Sequence, residues 1–415
     1  MEFKTLQELC TEIIDCPHTT PEWKTEGIPV IRNYNLQNGF IDKSKLSFVD
    51  NDTYLQRIKR GMPQVDDIIF SREAPVGSVA IMPSNFRCCL GQRLVLLKVN
   101  KSICDPHYLL YVMLSNFVKK QYKTVEKTGS IVSNFNIGDL KNLVIPYVDI
   151  AIQKKIGKMC GMLDRKIAVN NLTIENLESM AKTLYDYWFV QFDFPDANGN
   201  PYKTSGGKME WNETLSREIP AGWEVRKVKD IEAKIVTGKT PSTAQDDFYN
   251  GNIPFVTIGD IRNHVFVTNT DIRLTKAGAE SQSNKYLPPN SLCVSCIASP
   301  GEIGFTTEWS QTNQQINSIV IEDEDNRIIL YFALKDYFLY NAAVKTGNTF
   351  ANMSKTDFSE IALVYPTKHV LRVFAKKTQP IFRKLKKAEL ENRKLITFRD
   401  FLLPMLMNGQ VTFRQ

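Results

Sequence analysis

The chain has 415 residues, 43% of them apolar, and a formal net charge of +7. That length exceeds one ordinary domain and the apolar content suffices for two separate cores. The mild basic excess suits a polyanionic partner only where Lys and Arg gather on one face. No apolar run of signal-peptide length follows Met1-Glu2-Phe3-Lys4-Thr5, and nowhere do about 18 apolar residues follow one another, so the expectation is a cytoplasmic chain with no membrane partner. Cys10, Cys16, Cys88, Cys89, Cys104, Cys160, Cys293 and Cys296 lack the density of a disulfide scaffold and read as reduced thiols. Cys293 and Cys296 have a metal-ligand spacing, but they sit in a strand-like run with no second pair, and no metal site is assigned.

From Met1 to about Ile145, short β-like runs alternate with turn signals: Ile28-Pro29-Val30-Ile31, Asp67-Ile68-Ile69-Phe70 and Leu94-Val95-Leu96-Leu97. A second stretch, from about Gly222 to Tyr365, repeats the plan. Ile253-Pro254-Phe255-Val256 parallels the first of those runs, Ile316 to Ile321 parallels the run at Leu94, and Gly301-Glu302-Ile303-Gly304 parallels Ala74-Pro75-Val76-Gly77. The clearest echo is Lys127-Thr128-Gly129-Ser130 with Asn134 and Asp139, which returns as Lys345-Thr346-Gly347-Asn348 with Asn352 and Asp357. Repeats fix architecture, and this one predicts an α+β fold of two similar mixed units.

Pro146 and Pro366 each close a unit, and after each the apolar period shifts toward three and a half. The first helix carries Ile152, Ile156, Met159, Leu163, Ile167, Ile174, Leu177, Ala181, Leu184 and Trp188; the second carries Phe374, Ile381, Leu385, Leu395, Leu402 and Leu406. A continuous helix over 149–188 would be about 60 Å long at 1.5 Å per residue, more than a single domain buries. A partner helix is therefore expected. Two like units related by a pseudo-twofold axis pair such helices antiparallel, and a parallel pairing would need a long return path. Gly157 and Gly161 should weaken the first helix; Pro380 should kink or restart the second, and Pro404 with Gly409 should stop it. The boundaries expected are 1–147, 148–190 (helical), 191–221 (linker), 222–366, 367–409 (helical) and a tail of 410–415.

Chemistry of its own is not legible in this chain, and no catalytic residue is assigned. Thr237-Gly238-Lys239-Thr240 resembles the end of a phosphate-binding loop, but Ala233 stands where the first Gly belongs and Pro241 blocks the helix that would cradle a phosphate. What remains are polar and basic loop residues of the types that read base edges and hold phosphates. In the first unit they are Arg32, Asn33, Asn35, Ser71, Arg72, Gln92, Arg93 and Lys127 to Ser130 (Lys127, Thr128, Gly129, Ser130). In the second they are Lys239, Thr240, Arg262, Asn263, Gln314, Gln315 and Lys345 to Asn348 (Lys345, Thr346, Gly347, Asn348). The second helix adds a basic run, Arg372, Lys376, Lys377, Arg383, Lys384, Lys386, Lys387, Arg393 and Lys394, which reads either as a solvated face or as a track along a DNA backbone.

Several segments together carry a resemblance. Ile145-Pro146 with Ile152-Gln153-Lys154-Lys155-Ile156, Leu163-Asp164-Arg165-Lys166-Ile167 and Leu184 to Phe189 look like the first helical region of the specificity subunit of type I restriction-modification enzymes. Phe192-Asp193-Phe194-Pro195, Asn198-Gly199, Pro201-Tyr202 and Gly206 to Met209 resemble that family's linker, Ile219-Pro220 and Gly222-Trp223 the opening of its second target recognition domain, and Leu402-Leu403-Pro404 with Asn408-Gly409-Gln410 its ending. The chain departs from the pattern after Pro366, where His369-Val370-Leu371-Arg372 lacks a counterpart of Gln153. The resemblance implies a non-catalytic subunit whose two target recognition domains each read half of a split target in double-stranded DNA. The helices, as an antiparallel coiled coil, would set the gap. It further implies two methyltransferase subunits docked on the helices, and restriction subunits of the translocase and endonuclease kind; Trp188, Phe189, Phe192 and Phe194 read equally as part of such a partner interface or as a seal of the first helix against the second unit. S-adenosylmethionine, ATP and magnesium would belong to those partners, with none bound by this chain. Competing readings are a protein-binding scaffold without a DNA role and a nucleotide-binding enzyme using Thr237 to Thr240.

Overall fold

The computed structural model of the chain describes residues 2–73, 75–126, 135–344, 352–408 and 410–411. Two compact units divide it, Met1–Ile167 with Leu395–Gln415, and Ala168–Lys394.

In the first unit a four-stranded sheet runs in the order Cys10–Asp15, Leu94–Val99, Ile68–Ser71, Val79–Ile81. Successive side chains of a strand point to opposite faces, and here both faces are covered. Ile68, Phe70, Val95 and Leu97 enter one cluster with the helix Pro106–Leu114, while Ile69, Leu94 and Leu96 enter another with Ile31, Leu36 and Leu90. This is why the runs read as near-continuous apolar stretches. Each such burial is worth about 1.5–3 kcal/mol. A second sheet pairs Ile28–Ile31 antiparallel to Ser47–Val49 and parallel to Cys89–Leu90. The strand Glu2–Thr5 pairs with Val144–Tyr147, which delivers the chain to the first long helix.

The second unit repeats this strand for strand. Ile235–Thr237, Ile316–Ile319, Leu292–Ser295 and Ile303–Thr306 succeed one another in a sheet that adds Phe266–Val267 as a fifth strand. Tyr249–Val256 pairs antiparallel to Ile272–Leu274 and parallel to Gln311–Thr312, and Glu224–Lys227 pairs with Ala362–Tyr365. The registers correspond, because Ile68↔Ile81 and Phe70↔Val79 have counterparts in Leu292↔Phe305 and Val294↔Ile303. They also correct one sequence alignment. Gly77 corresponds to Gly301, not Gly304: both have positive φ, 83° and 96°, and their amides reach Ser71 O and Ser295 O at 2.9 and 3.0 Å.

The two long helices are Ile150–Tyr185, followed by a π turn at Asp186–Val190, and Lys368–Met407. Gly157 does not weaken the first so much as let it be approached, since a Cβ there would lie 2.7 Å from Asp105 Oδ1 and 3.1 Å from Tyr108 N. Neither Pro380 nor Pro404 interrupts the second. Both rings lie on its exposed side, while Thr378, Phe382, Leu385, Leu403 and Leu406 are buried and hold the backbone on either flank, offsetting the lost helical hydrogen bond.

Within each unit the helices pair antiparallel. In the second, Asn170 meets Asn392 at 2.9 Å and Glu391 at 3.0 Å, while farther along Phe189 packs edge-on against Phe374 with centroids 4.8 Å apart. In the first, Asp164 meets Arg399 at 2.7 Å, and Ile156 and Cys160 share a cluster with Leu403, Leu406 and Met407. The missing counterpart of Gln153 also has an explanation. Gln153 Oε1 accepts from Asp105 N at 2.9 Å, tying the first helix to its unit; in the second unit Glu232 accepts from Glu322 N, Asp323 N and Asn326 Nδ2, and Tyr365 donates to Asn326 Oδ1 at 2.7 Å.

The aromatic group expected at a partner interface is internal. Trp188, Phe189, Phe192 and Phe194 are all buried in the second unit, where Phe194 stacks on Trp223 at 4.9 Å and on Tyr202 at 4.6 Å. They seal the end of the first helix and the linker against that unit.

Candidate nucleic-acid interface

In the first unit the ends of four strands meet, because short backbone bonds stitch their loops together. Gly91 N donates to Ile31 O at 2.7 Å, Arg72 N to Arg93 O at 2.9 Å, and Phe135 N to Arg72 O at 3.0 Å. This gathers Arg32, Ser71, Arg72, Gln92 and Arg93 at one end of the sheet. Their side chains differ in what they have left to offer. Arg72 is buried; its Nε donates to Phe135 O at 2.8 Å and its Nη1 to both oxygens of Asp15 at 3.0 and 3.1 Å. Arg93 is held by Glu73 at 2.9 Å. Gln92 Nε2 donates to Thr20 Oγ1. Arg32 instead lies beside two exposed rings, 5.0 Å from the centroid of Trp23 and 4.9 Å from that of Tyr34.

The second unit builds the same end from different residues. Cys296 N donates to Gln315 O at 2.8 Å and Met353 N to Cys296 O at 3.0 Å, the counterparts of the bonds at Arg72. Thr240 Oγ1 donates to Gln314 Oε1 at 2.6 Å, so the glutamine at the place of Gln92 again pairs with a threonine of the neighbouring loop, here at the place of His18 and with the donor reversed. Arg262 is paired with Glu302 at 3.0 Å, and Asn263 beside it is exposed with φ 63°. Lys239 is exposed. Gln315 binds Asn313 through its Oε1 at 3.0 Å. The stretch Thr237-Gly238-Lys239-Thr240 occupies the place of Asp15-Cys16-Pro17-His18, since Thr237 pairs with Asn317 as Asp15 pairs with Val95. A Cβ on Gly238 would lie 2.1 Å from Asn313 O, so its glycine serves a close backbone approach.

Two expected contact residues are turned inward. Asn35 is fully buried; its Oδ1 accepts from Arg32 N at 2.9 Å and its Nδ2 donates to Asp42 O and Lys45 O, while Asp260 accepts from Thr257 N at the matching turn. These atoms shape the loop. Ser71 is likewise buried, with its hydroxyl on Glu73 O at 2.8 Å. Asn33 lies half-buried in the turn after Arg32. Lys127 to Ser130 and Lys345 to Asn348 fall outside the described residues. Trp23, Tyr34, Asp15, Thr20, Glu73 and Glu302 were not read from the sequence. No local pattern marks an exposed aromatic or a carboxylate that positions an arginine. Of the basic run on the second helix, Arg372, Lys376, Lys377, Arg383, Lys384, Lys387 and Lys394 are exposed, while Lys386 turns inward to Asn290 at 3.1 Å and burial pushes its ammonium pKa down.

The profile of the type I restriction modification DNA specificity domain matches residues 1–179 and 220–395, one match over each repeat. The chain belongs to that family. It is 30% identical over 406 residues to the type I restriction enzyme HindI specificity subunit of Haemophilus influenzae, covering 85% of this chain and 87% of that one. It is 24% identical over 356 residues to the MjaIX specificity subunit of Methanocaldococcus jannaschii, covering 83% and 77% respectively. The crystal structure of the type I restriction-modification system S subunit from M. genitalium matches over 98% of this chain and 95% of that one with a TM-score of 0.54 at 16% identity, a likeness of fold. Family membership and fold agree on two like units carried on two long helices. Among the described residues no helix is long and apolar enough to cross a membrane.

Proposed function

We propose that the chain is the DNA-recognition subunit of a type I restriction-modification complex. Each unit reads one half of a bipartite duplex target through the loops at the end of its sheet, and the paired helices set the unread gap. One observation carries this beyond family membership: the same loop end is built twice on corresponding strands and filled with different side chains. A fixed frame with exchanged polar residues suits two half-sites of different sequence. Half-sites read from one DNA face lie about one helical turn, roughly 34 Å, or a multiple apart, which suits helices of this length as the spacer.

Two methyltransferase subunits dock on this chain and methylate adenine with S-adenosylmethionine, and restriction subunits using ATP and magnesium complete the complex. The buried aromatics around Trp188 are unsuited to that docking, which leaves the exposed helix faces. A nucleotide site at Thr237 to Thr240 is disfavoured by the crowding at Gly238.

The test is to replace residues 222–365 with the corresponding segment of another family member, co-express with the methyltransferase subunit, and sequence the methylated genome. One half of the motif should change while the other half stays. An unchanged motif, or the absence of any split motif from an active complex, overturns the reading.

A further inference from the structure

Resting on the reading that the first unit contacts one half-site, we infer that Arg32 is its guanine reader, positioned by Trp23 and Tyr34. The three arginines at this loop end are separated by what their guanidinium groups already bind. Arg72 and Arg93 are committed to Asp15 and Glu73. Among the described residues no carboxylate or carbonyl is bonded to the Arg32 guanidinium, whose neighbours are the two rings. Cation–π contacts hold a guanidinium in place without using any of its five N–H donors. A guanine offers O6 and N7 as adjacent acceptors in the major groove, and the planar fork of arginine matches them with two parallel bonds.

The rings are themselves fixed from a single strand edge. Tyr34 Oη lies 3.1 Å from Ser47 Oγ, and Lys24 N, next to Trp23, donates to Phe48 O at 2.9 Å. Gly91 leaves room for the aliphatic stem, since a Cβ there would sit 3.3 Å from Arg32 Cγ. The second unit has Thr257 at the corresponding turn, its hydroxyl bound to Asp260 at 2.7 Å, so Arg32 has no counterpart at that turn. The guanine read by Arg32 therefore lies in the half contacted by the first unit.

The experiment is methylome sequencing of cells carrying the full complex with wild-type chain, Arg32→Ala or Arg32→Lys. The exchange of 222–365 assigns which half the first unit reads. Wild type should show a guanine in that half, and Arg32→Ala should render that one position degenerate, discrimination falling about 10- to 100-fold. Arg32→Lys should not restore it, because an ammonium keeps the charge but loses the two-pronged match. An unaltered motif with either variant overturns the inference, the lysine result marking Arg32 as a phosphate contact. Should both variants abolish methylation, binding of the wild-type complex to duplexes with 7-deazaguanine at each guanine in turn decides. Weakening at one guanine of that half sustains the inference, and indifference throughout that half ends it. A wild-type complex with no split motif would instead be a failure of the recognition reading itself.

Discussion

Arg399 of the second long helix donates through Nη1 to Asp164 Oδ1 of the first at 2.7 Å, and the other Asp164 oxygen accepts from Tyr111 Oη at 2.7 Å. One buried carboxylate thus joins both helices to the helix Pro106–Leu114 of the first unit. Burial and the adjoining carboxylate push the Tyr111 phenol well above its usual range, so it stays a donor. The second unit reaches the same end differently, with Tyr331 Oη and Lys335 Nζ both donating to Glu178.

Removing Asp164 leaves the largely buried Arg399 guanidinium to the exposed carboxylate of Asp400, 3.0 Å away, and takes the acceptor from Tyr111 Oη, which costs about 1–3 kcal/mol, whereas removing both Asp164 and Arg399 costs less. Asp164→Ala should therefore lower the denaturant midpoint more than Asp164→Leu combined with Arg399→Leu. Urea titrations of the three chains check this. A double variant less stable than Asp164→Ala would show that Arg399 packs more than it pairs.

Gly157→Ala should destabilise the first unit although alanine favours helices by about 1 kcal/mol. The added methyl meets Asp105 Oδ1, which caps the helix at Pro106 by accepting from Tyr108 N at 3.0 Å, and crowding of this kind costs about 1–3 kcal/mol. Gly199→Ala is the control, because nothing lies within 4 Å of its missing Cβ. Its positive φ of 83° limits that control to steric space, not backbone freedom. Thermal melts should rank Gly157→Ala lowest; equal melts would mean that the helix shifts to admit the methyl.

Burial pushes the thiols of Cys16, Cys88, Cys160 and Cys293 up to about 12. At pH 8 their thiolate fraction is about one part in ten thousand, so the folded chain should react with a maleimide at these positions only through unfolding. The sign of the linked stability follows. Folded-state values raised above the ordinary thiol range contribute stability that is complete below about pH 9 and is lost as pH rises toward 12. Denaturation midpoints measured from pH 8 to 11 should fall steadily, and a flat profile would place these thiols in water.

The repeat and the paired helices were legible because they are written in residue order and period: Ile68-Ile69-Phe70 is a short apolar run between turn signals, and Ile156 and Leu406 lie on the expected seams and are buried, whereas Cys160 and Leu403, which join them in one cluster, were not read from the sequence as part of a seam. Pro380 and Pro404 misled because a proline's effect depends on which side of the helix is packed, which the chain order does not state. The site was half legible. Residue type pointed to Arg32, Arg72 and Arg93 alike, and only the distances to Trp23, Asp15 and Glu73 tell them apart. Asn35 shows the converse, a side chain suited to reading bases that the fold spends on its own turn.

The recurring Gln–Thr pairs offer the most direct comparison of the two units. Gln314 is exposed, and with Thr240 donating to its Oε1 the amide nitrogen of Gln314 carries no protein partner among the described residues; Gln92, bonded to Thr20 through Nε2, keeps its oxygen instead. The atom left without a protein partner among the described residues is therefore a donor in one unit and an acceptor in the other. Gln314→Ala should relax one base pair in the half read by the second unit, and Gln92→Ala one in the other half, each by about 5- to 100-fold in discrimination. Thr240→Val should reproduce the Gln314→Ala effect in part, because it frees the amide to turn. Binding of the complex to duplexes altered one base pair at a time measures all three. If Gln314→Ala weakens every duplex equally, the pair holds the loop and reads nothing.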